Sequence, residues 1–146
     1  MDFLRKSFSK DRPVKDFIQL ALSLVMIIVS VLYLVIDAGA LKIQDYSRTF
    51  SFIMMLAGAI VGILSFFLDI KILKDYLPLI SLALYAMGTG RQFYLVAYPF
   101  ADLLTGVNWF GGNLAIYLAF FLLFLCASIL EIVLLFLPDE KKTKKE

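Results

Sequence analysis

The chain has 146 residues, 62% of them hydrophobic and 18% charged, with a net charge of +2 and a mean hydropathy of +0.89. Soluble domains carry roughly 45–50% apolar residues, so this composition excludes a soluble globule and predicts a single compact membrane domain. Histidine is absent, which removes the commonest general base and metal ligand, and the lone Cys126 excludes an intrachain disulfide or a thiolate metal centre.

Residues 1–16 form a basic segment in which Arg5, Lys6, Lys10, Arg12 and Lys15 outweigh Asp2, Asp11 and Asp16. Phe3, Leu4 and Phe8 suit a short stretch lying among headgroups, and Pro13 suits a helix start. Residues 17–36 are apolar apart from Gln19, Ser23 and Ser30, and about twenty such residues span a bilayer core. Ala38-Gly39-Ala40 has the small residues of a signal-peptidase site. The preceding run is longer than the usual ~7–15-residue signal core, so a retained span is expected.

After a polar connection, residues 49–68 form the second expected span, with Gly58 and Gly62 in a GxxxG pattern that lets another backbone approach. A short charged turn holds Lys71 and Lys74, and Pro78 is read as opening the third span, residues 77–98. Ala86, Gly88 and Gly90 give this span a second surface of small residues. A connection from Pro99 to Gly112 follows, and the fourth span covers residues 113–137, capped by Asn113 and stopped by Pro138. Residues 138–146 are a tail with Lys141, Lys142, Lys144 and Lys145. Such lysines set topology and hold anionic lipid; they also match a short dilysine retrieval signal.

Of the fourteen Lys and Arg residues, eleven fall in the first segment, the middle turn and the tail. The positive-inside rule therefore predicts an all-α, integral membrane four-helix bundle with N- and C-termini cytoplasmic. Tyr46, Tyr98 and Trp109 then fall at the outer interface. Asp16-Phe17-Ile18 is echoed by Asp75-Tyr76-Leu77, and Tyr33-Leu34-Val35 by Tyr94-Leu95-Val96. These echoes suggest two tandem helical hairpins of about sixty residues each.

The polar run Gly88-Thr89-Gly90-Arg91-Gln92 interrupts the third span. Arg91 lies about 21 Å above Leu77 at 1.5 Å per residue. At mid-span an arginine costs at least ~2.5 kcal/mol unless it faces protein or water. Two arrangements satisfy it. One is an ion pair with Asp37 or Asp102. The other is an outward-facing ligand pocket lined by Arg91, Gln92, Tyr94, Tyr98, Asn108 and Trp109, suited to an anionic or polyhydroxyl solute or a lipid headgroup. Glu131 is a buried carboxylate, read either as part of a proton or cation path or as lying at the cytoplasmic interface near Lys71 or Lys74, the arrangement favoured by the length of the fourth span.

No phosphate-binding loop, metal-ligand spacing, nucleophile motif or nucleic-acid signature is present; no cofactor, metal or nucleic acid is expected. Three classes of function follow. The first is a non-enzymatic accessory or self-associating bundle that meets itself or a larger membrane protein through its glycine faces. The second is a carrier or channel subunit for a small anionic or polyhydroxyl solute. The third, an intramembrane enzyme, lacks the usual acid–base set. Abundant Lys, Ile and Phe point to an AT-rich bacterial genome, and hence to the plasma membrane.

Overall fold

The computed structural model describes residues 12–43, 46–68 and 70–138, without the side chain of Lys71. The basic segment ahead of Arg12, Asp69 in the middle turn and the four lysines of the tail lie outside the described residues. The protein folds as four helices, α1 (Val14–Val35), α2 (Thr49–Phe67), α3 (Lys71–Thr105) and α4 (Leu114–Phe136), and no strand occurs among the described residues. Three of them, α1, α2 and α4, are long and apolar enough to cross a membrane.

Local chemistry sets most helix ends. Pro13 precedes the first turn of α1 in an extended conformation, where its missing N–H is not needed. Asn113 caps α4, its Oδ1 accepting from the amides of Ala115 and Ile116 at 3.1 and 3.4 Å. Gly106 ends α3 in the left-handed region at φ +68°, and its N–H returns to the Asp102 carbonyl at 3.0 Å.

The third helix departs from the sequence expectation. It runs from Lys71 to Thr105 rather than from 77 to 98, with Pro78 and Pro99 inside it. Each proline removes one N–H and crowds the carbonyl four residues earlier, yet membrane helices keep such residues where packed neighbours hold them. At 35 residues α3 is about 52 Å long, so it outreaches a hydrocarbon core of roughly 30 Å.

Helices adjacent in sequence pack against one another, and the α1–α4 seam is the loosest. On its exterior lies an almost wholly apolar groove of about 390 Å³, lined by residues that include Val29, Leu32, Ala115, Ala119 and Leu123. The start of α1 meets the end of α2 and the start of α3, through Arg12 to the Phe66 carbonyl and Lys74 to Asp16. At the opposite end the two long connections pair, Lys42 N–H to Phe110 O at 2.7 Å and Asn113 N–H to Ala38 O at 2.8 Å. Gly39 and Gly112 make this close approach possible, both at positive φ and with their backbones in contact.

Polar side chains share the interior with an apolar core that includes Met26, Met55, Ala59, Phe120 and Phe124. The buried positions of α1 are Asp16, Gln19, Ser23, Met26, Ser30 and Tyr33, a 3–4 spacing that makes one inward seam. Its exposed positions include Leu24, Val25, Ile28, Val31 and Leu32. Ser51, Ser65, Ser81, Thr89, Gln92, Ser128 and Glu131 are likewise buried on the other three helices. An apolar exterior around polar contacts is what a hydrocarbon solvent selects.

The glycines of the GxxxG pattern serve this interior. A methyl group on Gly58 would lie 2.7 Å from the Tyr85 ring of α3, and one on Gly62 would overlap Ser23 Oγ of α1. Gly88 of α3 is pressed against Met55 of α2. Ala86 and Gly90 are instead exposed, with open space beside Gly90. Gly62→Ala is therefore expected to cost about 1–3 kcal/mol by overpacking, whereas Gly90→Ala should be neutral or stabilise by up to ~1 kcal/mol. Thermal unfolding of the two variants in detergent micelles measures the contrast.

Candidate functional site

The deepest polar cluster lies where α1, α3 and α4 meet over Gly62 of α2. Glu131 is 0% exposed, and its Oε1 accepts from Gln19 Nε2 at 2.7 Å. Its Oε2 has no hydrogen-bond partner, nor do Ser23 Oγ and Tyr85 Oη, both in residues that are also 0% exposed. Ser81 stands near the carboxylate but bonds the Gly58 carbonyl at 2.9 Å. Tyr85 lies within electrostatic reach of Glu131 and is flanked by Ser23 and Ser81. Ser23 Oγ and Gln19 Nε2 share the niche over Gly62, where any side chain would intrude. Unsatisfied buried polar atoms are rare and call for a physical reason, and here three converge on one niche.

The sequence reading sets Glu131 at the cytoplasmic interface near Lys71 or Lys74; the Lys71 side chain lies outside the described residues, and Lys74 has a different partner. Lys74 Nζ pairs with Asp16 Oδ2 at 2.7 Å, with Arg12 Nη1 3.9 Å from the same oxygen. One turn further along the inward face of α1, Gln19 reaches the carboxylate. The α1 seam thus presents a charged partner at the rim and an amide inside it.

A second network crosses the other half of the interior. Thr89 Oγ1 and Ser128 Oγ are 3.0 Å apart. Tyr33 donates its hydroxyl to Gln92 Oε1, and Gln92 Nε2 donates to the Tyr117 carbonyl at 3.0 Å. Arg48, ahead of α2, lies over the Tyr33 ring at 4.3 Å and donates to the carbonyls of Tyr33 and Ile36. It thereby supplies the positive charge that the last turn of α1 lacks among its own residues.

The residues expected to line an outward pocket are divided by the fold. Arg91 is half-buried and stacks over Tyr94 at 4.9 Å; the Tyr98 hydroxyl donates to that of Tyr94 at 2.6 Å, and the Tyr98 ring meets Phe110 edge-on. Gln92 turns inward, away from this patch, and is fully buried. Asn108 and Trp109 stand exposed on the connection after α3. The acids considered as partners of Arg91 are both engaged by backbone. Asp37 accepts from Gly39 N–H at 2.9 Å, and Asp102 accepts from the amides of Trp109, Phe110 and Gly111 at 2.9–3.2 Å. Asp102 thus organises the loop that carries Trp109.

Gln19, Ser23, Tyr85, Tyr33 and Arg48 were not among the expected site residues. The available signal was the spacing of Asp16, Gln19, Ser23 and Ser30, which places the polar residues of an apolar helix on one face. No protein-family model, curated protein or solved structure matches the chain. Among the described residues no group of three or more Asp, Glu, Cys or His side chains gathers.

Gln19→Leu leaves the Glu131 carboxyl without its donor and is expected to destabilise by roughly 3 kcal/mol. Combining it with Glu131→Leu should recover most of that loss, since an apolar pair leaves nothing unsatisfied. Chemical unfolding of both single variants and the pair in micelles measures the coupling.

Proposed function

We propose that this protein is a four-span integral membrane protein with both ends in the cytoplasm, acting without covalent chemistry as a carrier for a small polar solute. The observation that carries the reading is the column of polar side chains through the interior. It runs from the Asp16–Lys74 pair through Glu131, Ser81, Thr89 and Gln92 to Arg48. Polar groups between helices also hold a bundle together, but the buried oxygens left without a well-aligned hydrogen bond, Glu131 Oε2 among them, go beyond that role. The Arg91–Tyr94–Tyr98 patch is the outward-facing element, with a cation and two hydroxyls suited to an anionic or polyhydroxyl solute or a lipid headgroup. The charge distribution and mean hydropathy support insertion in a bacterial plasma membrane with the basic segments inside.

A second reading, an accessory subunit that docks on a larger membrane protein, is favoured by one observation. Gly58, Gly62 and Gly88 are consumed within the bundle, but Ala86 and Gly90 form an open surface facing outward.

Two experiments test the proposal. In a Cys126→Ser background, a membrane-impermeant thiol reagent should label Trp109→Cys from outside intact cells and Lys142→Cys only after lysis; the reverse pattern overturns the threading. In proteoliposomes, a panel of radiolabelled organic anions and sugars should include at least one solute whose flux falls tenfold or more in Arg91→Gln. That solute should also raise the melting temperature of the wild type and not of the variant. Absence of flux across the panel, together with co-purification of one stoichiometric membrane partner lost in Gly90→Leu, would replace the carrier by the accessory reading.

A further inference from the structure

The unsatisfied atoms over Gly62 point to a ligand smaller than any transported solute. Glu131 Oε2, Ser23 Oγ and Tyr85 Oη are oxygens in fully enclosed residues and none makes a well-aligned hydrogen bond, although Ser81 stands beside the carboxylate and both Ser23 and Ser81 beside the Tyr85 hydroxyl. Gln19 Nε2 already holds the other carboxylate oxygen. Gly62 lets α1 come close enough to α2 for Ser23 Oγ and Gln19 Nε2 to pack on its backbone, which holds these two polar atoms in place beside Glu131. One carboxylate among neutral oxygens balances one positive charge, and oxygen donors suit hard, small cations rather than soft ones.

We propose that Glu131, Gln19, Ser23 and Tyr85, brought together where α1, α3 and α4 meet beside Gly58 and Gly62, form a binding site for a small monovalent cation, either a proton or a sodium ion. Both neutralise the carboxylate in place. They differ in how many oxygens they engage: a proton needs the carboxylate and at most one hydroxyl acceptor, whereas sodium draws on all three. The site goes beyond the carrier reading and is independent of Arg91. If the protein is a carrier this is its coupling ion, but binding is measured on purified protein, so a failure here and a failure of transport are separate results.

The groups facing the carboxylate are few. From α1 come Gln19 and Ser23, with Asp16 one turn away and paired to Lys74; from α3 come Ser81 and Tyr85; from α2 come Gly58 and Gly62. Asp16 is the other acid whose titration would affect the same end of the bundle, so it is controlled for by Asp16→Asn.

The experiment measures thermal unfolding of the purified full-length protein in a neutral detergent. One arm varies sodium against choline at fixed pH, and the other varies pH without sodium. The expected result is that the melting temperature of the wild type and of Asp16→Asn rises in at least one arm, and that Glu131→Gln abolishes the rise. A rise with the logarithm of sodium concentration that is weakened in Ser23→Ala and Tyr85→Phe identifies sodium. A rise only on lowering pH, retained in those two variants, identifies the proton. Identical responses of wild type and Glu131→Gln in both arms overturn the proposal.

Should Glu131→Gln fail to fold, ¹³C-glutamate labelling decides the matter with Glu131 itself intact. The chain has only three glutamates, Glu131, Glu140 and Glu146, and Glu140→Gln with Glu146→Gln leaves one carboxyl resonance. A shift of that resonance with sodium or pH supports the site; a resonance insensitive to both overturns it.

Discussion

A hydrocarbon solvent provides no hydrogen-bond partner, so each polar side chain on a membrane helix must find one inside the protein. The arrangement of this bundle, with three helices long and apolar enough to cross a membrane, matches that constraint. The serines and glutamines of the four helices turn inward with Tyr33, Tyr85 and Tyr117, while most of the exposed surface is leucine, isoleucine, valine and phenylalanine. Apolar burial supplies little driving force between helices in a bilayer, so close backbone approach and interhelical hydrogen bonds hold the bundle instead. Gly58 and Gly62 show how the two work together. One turn apart on α2, they admit Tyr85 and Ser81 of α3 on one side and Ser23 and Gln19 of α1 on the other.

The two ends of the bundle are closed by different means. At one end, charges do it: Arg12, Asp16 and Lys74 tie the start of α1 to the ends of its neighbours. At the other, backbone does it, because the connections after α1 and α3 pair with each other and Asp102 gathers three successive amides of the second connection. Tyr117 stitches this cap to the helices, its hydroxyl donating to the Gly39 carbonyl at 3.1 Å. The polar column lies between two seals, and Glu131 sits under the charged one.

Hydropathy made the number of helices legible, because runs of twenty apolar residues have few alternatives. It placed the ends of α3 badly, since a proline near a charged turn reads as a boundary, while packing against α2 and α4 carries the helix through Pro78 and Pro99. Arg91 was conspicuous because a charge in an apolar run stands out by type alone. Gln19, Ser23 and Tyr85 were inconspicuous because serine, tyrosine and a single glutamine are tolerated on any face of a membrane helix; only their register against Glu131, far away in sequence and on another helix, gives them meaning. Gln92 shows the converse. Beside Arg91 in sequence, it points a hundred degrees around the helix from it, and so belongs to the interior rather than to the outer patch.

The loosest seam of the bundle runs between α1 and α4, and the hydrogen bond between Gln19 and Glu131 crosses it. The bond therefore acts as a latch whose strength depends on the charge carried by one of its halves. Neutralising the carboxylate weakens its hold on the amide, and drawing the two helices apart strips the carboxylate of its donor. The apolar groove on the same seam lies towards the other end, between Val29 and Leu32 of α1 and Ala115 and Leu123 of α4, so one half of the seam is tied by a polar bond and the other half is not.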